Sequence, residues 1–176
     1  AGTGSGLGIV DLPIQRERAT GYPVVHASGI KGALRSVAQG SVALINALFG
    51  PEVEQARAAD ADEATVSSLY AGALSPGDAR LLLFPVRSLT GVFAWTTSLD
   101  VLNRFRRDAM MSGLDVPPLP EEDPGSNQAY VSGSGVSADG TVVLEEFAFA
   151  ETGDDQTRVR MRDLAGWLAA HALPAD

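Results

Sequence analysis

The sequence predicts an α+β fold, on three observations. Ile30, Ala33, Leu34 and Val37 recur at helical spacing and would form one apolar face. A strand-length apolar run, Ala79 to Val86 (ARLLLFPV), is followed across the turn residues Ser88 to Gly91 by a second run, Val92 to Thr97 (VFAWTT), the pattern of a hairpin. Behind Ser98, a side chain suited to capping a helix, Val101, Leu102, Phe105 and Ala109 make another helical stripe.

Taken in order, the chain opens on a loop. Gly2, Gly4, Gly6 and Gly8 alternate with small or apolar residues before Ile9, Val10 and Asp11. Glycine at every second position cannot pack a strand face, so the segment is expected to bend freely and lie close to something bulky, such as a phosphate chain. Leu12-Pro13 fixes an extended turn, because the residue before proline is pushed out of the helical region. Gln15, Arg16, Glu17 and Arg18 then offer groups of alternating charge, with Arg16 and Arg18 free either to grip phosphate or to pair with Glu17 and neighbouring acids. Ser28 is the expected N-cap of the first helix, which carries Lys31 and Arg35 one turn apart. A lysine in a first helical turn opposes the helix dipole by about 0.3–1 kcal/mol unless an anion is shared between the ammonium and the free backbone N–H groups. That misfit favours a bound phosphate, against the plainer reading of a solvated helix face.

Residues Ser41 to Phe49 continue or follow this helix, and Gly50-Pro51 ends it. The Ala- and acid-rich residues 51–68 read as a surface insertion. Ala79 to Val86 is expected to be one buried strand, with Pro85 placing its end near an edge. Val116 to Gln128, with two proline clusters and three acids, reads as a linker or mobile loop. Ala129 to Val136 and Thr141 to Ala150 look like a hairpin around Ala138-Asp139-Gly140. Arg158 to Leu173 makes a last amphipathic helix with Met161, Leu164, Trp167, Leu168 and His171 wholly or partly inward. Phe93, Trp95, Phe105, Phe147, Phe149 and Trp167 are expected in the core rather than as base-stacking platforms, since none matches the aromatic signature of the RNA-recognition motif.

The strings GLGIVDLPIQRERATGYP and SGIKGALRS, with the later block DARLLLFPVRSLTGVFAWTTSLDVLNRFRRD, resemble the backbone subunits of the Cmr complex, the type III-B CRISPR RNA-guided effector, in the repeat-associated mysterious protein (RAMP) superfamily. The resemblance implies a ferredoxin-like (RRM-like) domain of β-α-β-β-α-β order. It implies copies of the chain polymerised in a filament along a guide CRISPR RNA, beside other Cmr subunits. It also implies divalent-metal-dependent endoribonuclease activity on the paired single-stranded target RNA. By the same resemblance Asp11 is the catalytic residue and the ligand of Mg²⁺ or Mn²⁺; the plainer reading is that it caps a turn. Lys31, Arg35, Arg16, Arg18, Arg87, Ser28, Gly4 and Gly6 are the expected RNA contacts. One domain is expected over residues 1–176, with a hairpin at 129–143 as the thumb inserted between copies. The first strand of such a unit would fall before residue 1 and more sheet would follow the last helix, so native sequence is expected beyond both ends.

Composition sets the limits. The chain of 176 residues is 45% hydrophobic, ample for a core, and has no cysteine for a disulfide framework or thiolate site. No apolar run is long enough for a membrane span, so the expected partners exclude membrane and the expected compartment is the cytoplasm. The formal net charge of −9 argues against nonspecific nucleic-acid binding. The acids, however, gather at 52–63, 121–123 and 154–155, while Gly2 to Ala38 carries Arg16, Arg18, Lys31 and Arg35 against Asp11 and Glu17. Two other readings remain open: a scaffold that binds RNA without cutting it, and a protein-only assembly module whose acidic surface meets a basic partner.

Overall fold

The structure, a computed structural model, describes residues 14–51 and 69–173. The glycine loop with Gly4, Gly6 and Asp11, and residues 52–68 of the expected insertion, lie outside the described residues. The chain divides into two compact units, residues 1–81 and 82–176.

In the first unit, β1 (Val24–Val25) pairs antiparallel with β2 (Ala79–Arg80), Val24 facing Arg80 and Val25 facing Ala79. Two helices follow β1 directly: α1 (Ala27–Val37) and α2 (Val42–Phe49). They are separate because Ala38 and Ser41 both adopt extended backbone, after which the Ser41 hydroxyl accepts the Leu44 N–H at 3.2 Å and caps α2. Gly50, at φ +85°, ends α2. Ala73 and Leu74 then donate to the carbonyls of Ala47 and Leu48, at 2.9 and 2.8 Å, so the returning chain satisfies the helix end. This approach requires Gly72: a Cβ there would overlap the backbone of Leu48, Phe49 and Gly50.

The apolar run Ala79 to Val86 is not one buried strand. It divides into β2 and β3 (Phe84–Arg87), in different units, with Phe84 and Pro85 exposed. Between them Leu82 and Leu83 leave the ladder and pack on the core of the second unit, which explains the continuous hydrophobicity without a continuous strand.

In the second unit, β3 forms the expected hairpin with β4 (Phe93–Thr96), Phe84 facing Thr96 and Arg87 facing Phe93. Ser98 caps α3 (Leu99–Met111), its hydroxyl accepting the Val101 N–H. Leu99, Leu102 and Ala109 of α3 join Leu164 and Leu168 of α4 (Asp155–His171) in one apolar cluster. The residues expected to form a loose linker belong to the same cluster: Val116 and Leu119 are buried in it, and the Leu119 carbonyl accepts from the Arg160 guanidinium at 3.2 Å. Prolines around these two side chains stiffen a segment that is packed rather than mobile. The α4 helix starts ahead of the predicted Arg158 because Asp154 caps it, Oδ1 accepting the Thr157 N–H at 2.8 Å. His171 is exposed, stacked on Trp167 with ring centroids 4.4 Å apart.

The remaining strands are β5 (Gln128–Ala129), β6 (Thr141–Leu144) and β7 (Phe147–Glu151), in the order β5-β7-β6, with β5 parallel to β7. The hairpin expected over 129–143 is therefore displaced. Its two-residue loop is Glu145-Glu146 between Leu144 and Phe147, while Ala138 and Thr141 close a separate tight turn with reciprocal 2.9 Å hydrogen bonds. Asp139-Gly140 supplies the left-handed backbone of that turn, at φ +50° and +72°. A single antiparallel bridge, Ser88 opposite Leu144, ties β3 to β6. Phe105 and Trp167 lie against the core as expected, whereas Phe93, Trp95 and Phe147 are exposed.

Candidate nucleic-acid interface

The first helix carries Ser28, Lys31 and Arg35 of the expected RNA contacts, and its start differs from the predicted one. The N-cap is His26, in extended backbone and without a side-chain cap bond, and Ser28 is an exposed residue of the first turn. The capping group comes from 51 residues away: Asp78 Oδ1 accepts the Ala27 N–H at 2.7 Å. Its other oxygen lies 3.6 Å from His26 Nδ1. A local serine lost to a distant carboxylate because the β1–β2 pair brings residue 78 alongside the helix start.

Two consequences follow for anion binding. The helix start already holds one anion, and the N–H groups of Gly29 and Ile30 turn back to the His26 carbonyl at 2.9 and 3.1 Å. Lys31 sits two residues further into the helix than predicted, half-buried, and makes no hydrogen bond or ion pair to any other described residue. Its ammonium is thus available to an external phosphate without opposing the first-turn dipole.

Arg35, on the next turn, points elsewhere. Its guanidinium donates to the Gly50 carbonyl and, at 2.9 Å, to Asn46 Oδ1, so it neutralises the carbonyl end of α2 and fastens it to α1. Arg16 donates to the Gly21 carbonyl at 2.9 Å and stiffens the 16–23 turn. Glu17 pairs with Arg80 at 3.4 Å and accepts from Thr20 at 2.6 Å. Arg18 is exposed beside it. Gly29 and Gly32 of α1 have open space where a Cβ would stand, leaving the backbone beside Lys31 accessible.

Arg87 belongs to the second unit, at the end of β3, with a side chain 79% exposed and Nε 4.0 Å from Glu145 Oε2. Sequence reasoning missed two features: the carboxylate of Asp78, 51 residues from the N–H it caps, and the exposed aromatics facing the same way as Arg87. The signal for the second was in the text of the hairpin, where alternation puts Phe93 and Trp95 on one side.

The hydrogen bond from Ala27 holds the Asp78 carboxyl below its usual pKa of 3.8, with His26 adding to the effect. Asp154 is likewise lowered by its bonds from Thr157. A carboxyl with a lowered folded-state pKa stabilises above the unfolded value, and the contribution is lost as pH falls through the folded one. The chain is expected to hold its melting temperature at neutral pH and to lose it below about pH 4. In circular-dichroism melts the double variant Asp78→Asn, Asp154→Asn should show a flatter decline over that acid range; an unchanged decline would assign the acid sensitivity to other groups.

The Cmr endoribonuclease Cmr4 of Pyrococcus furiosus is 42% identical over 159 residues, which are 88% of this chain and 50% of that protein. The crystal structure of oligomeric Cmr4 from the same organism matches with a TM-score of 0.68 and 34% identity, over 89% of this chain and 55% of that one. A type III-B Cmr-beta complex bound to cognate target RNA contains a chain of like fold, at a TM-score of 0.52 and 20% identity, over 86% of this chain and 54% of that one. The chain thus spans about half the length of the relatives it matches. Among the described residues no helix is long and apolar enough to cross a membrane. The family model described as the RAMP superfamily matches residues 2–155, and the chain belongs to that superfamily.

Proposed function

We propose that the chain is the guide-RNA-binding backbone of a cytoplasmic type III-B CRISPR effector and its metal-dependent endoribonuclease, cutting guide-paired target RNA at regular intervals. The observation that carries this reading is the 42% identity to a protein named as the Cmr endoribonuclease, sustained over 159 residues. Self-assembly with further copies draws support from the oligomeric state of the Cmr4 crystal structure. The core would be a ferredoxin-like unit.

Lys31 is the guide-phosphate ligand best supported by geometry, because its ammonium is uncommitted among the described residues and the Gly29–Gly32 backbone beside it is open. Arg35 then acts by holding α1 against α2, and Arg18 extends the cationic edge. Asp11 would take the proton of a target ribose 2′-hydroxyl while cations hold the growing phosphate charge. Among the described residues no three His, Cys, Asp or Glu side chains converge as a metal cage. A hard cation such as Mg²⁺ or Mn²⁺ fits a single carboxylate, since water and phosphate oxygens complete its shell, and when bound it supplies positive charge to the phosphate.

The test is the assembled particle incubated with end-labelled target RNA, with and without chelator. Evenly spaced products that vanish with chelator and return with Mg²⁺ are expected. Guide protection without target products at any Mg²⁺ concentration would replace the nuclease by a scaffold.

A further inference from the structure

The outer face of the β3–β4 hairpin carries residues that a solvated strand pair does not. Side chains directly across an antiparallel ladder share a face, so Pro85 with Trp95 and Arg87 with Phe93 lie on one side, and Val86 with Ala94 on the other. On the Ala94 side Ala94 is buried and Phe84 is 51% exposed, while on the other side Phe93 and Trp95 are 50% and 43% exposed and Pro85 and Arg87 are exposed with them. A half-wet antiparallel sheet ordinarily alternates apolar-in with polar-out. This one presents two aromatic rings, a proline and one charge to solvent. The rings of Phe93 and Trp95 stand edge to face, centroids 5.6 Å apart, as a preformed pair.

Aromatic faces and guanidinium planes are the surfaces on which unpaired bases stack, and such stacking tolerates any sequence because every base has a π-face. The charge on this face is a cation, in a chain whose formal net charge is −9. The face therefore suits a polyanion where the chain as a whole repels one. Glu145 does not consume the Arg87 charge: the pair is 4.0 Å apart and both side chains are solvated.

We infer that the outer face of β3–β4 is a stacking platform for unpaired bases of single-stranded RNA, with Phe93 and Trp95 receiving bases and Arg87 engaging the strand beside them. The inference rests on the RNA-binding reading above and adds a contact in the second unit that duplex RNA, its bases already stacked, cannot use.

The test takes the chain with Trp167→Phe, an aromatic exchange in the core that leaves Trp95 as the remaining tryptophan of the two. Titration with a short oligoadenylate should quench its fluorescence saturably, and a duplex of the same length should not. By fluorescence anisotropy with labelled oligoadenylate, Trp95→Ala and Phe93→Ala should each weaken binding by about 5- to 100-fold, while Trp95→Phe retains most of it. These are exposed side chains, and circular dichroism checks the fold. Lys31→Ala, by contrast, should weaken binding with a shallower salt dependence. Unchanged affinity in the Trp95 and Phe93 variants, with Lys31→Ala still impaired, overturns the platform and leaves the RNA-binding reading standing. Absence of binding by the native chain overturns both. A blue shift of Trp95 that grows with protein concentration in the absence of RNA assigns the face to a second copy of the chain and overturns the platform.

Discussion

If the proposed function holds, Asp11→Ala is expected to leave particle assembly and guide protection intact while target cleavage falls by about 10²-fold or more, the loss expected for removing a general base. The separation of the two readouts is what makes the result informative. On the proposed reading, assembly would depend on apolar packing within the units and on phosphate contacts from groups such as Lys31, none of which requires a carboxylate at position 11. Cleavage by the proposed route requires a proton to leave the ribose 2′-hydroxyl, and methyl in place of carboxyl would remove both the proposed acceptor and the proposed oxygen ligand for a cation. Asp11→Asn is the sharper control, since it keeps the shape and hydrogen-bonding reach of the side chain but not its charge. If either variant cleaves at the native rate, the catalytic role belongs elsewhere. If cleavage and guide protection fall together, Asp11 is holding the glycine loop in place rather than acting on RNA.

What the sequence disclosed and what it hid divide along the range of the interactions. The α3 helix was readable because its signals are local: Ser98 caps it and Leu102, Phe105 and Ala109 recur at helical spacing. The β3–β4 hairpin was readable for the same reason, with Gly91 at φ +83° in its turn. The start of α1 was not, because Asp78 displaces Ser28 as the capping partner across 51 residues. The run Ala79 to Val86 misled because hydrophobicity fixes burial and not pairing: Leu82 and Leu83 are apolar for the sake of the helical core, not of a strand face. The segment 116–128 misled in the opposite sense, since proline and acids mark a loop without saying that Val116 and Leu119 anchor it. For the candidate interface, spacing placed Lys31 and Arg35 on one helix but could not show that Arg35 turns to Gly50 and Asn46. Family resemblance, rather than periodicity, is what picked out Asp11.

Leu164→Ala should be the most damaging substitution for stability in the second unit, costing about 2–5 kcal/mol. Leu164 is 1% exposed and sits where α4 meets α3, in the cluster shared with Leu99, Leu102, Val116 and Leu119. Truncation to alanine removes apolar contacts from elements far apart in sequence at once, and a helix fixed at one end by the Asp154 cap cannot slide to fill the space. For a unit of roughly a hundred residues, each kcal/mol shifts the midpoint by about 4–8 °C, so a fall of about 10 °C or more is expected. Near-ultraviolet circular dichroism reports it through Trp167, which packs against the same cluster. Val159→Ala on the same helix, at a side chain 49% exposed, should change stability by no more than about 0.5 kcal/mol. Leucine and valine differ in helix propensity by only a few tenths of a kcal/mol, and in the direction that favours Val159→Ala, so propensity cannot produce a difference this large. Equal losses at the two positions would mean that α4 is not seated through Leu164, and the shared core of α3, α4 and the 116–119 segment would have to be redrawn.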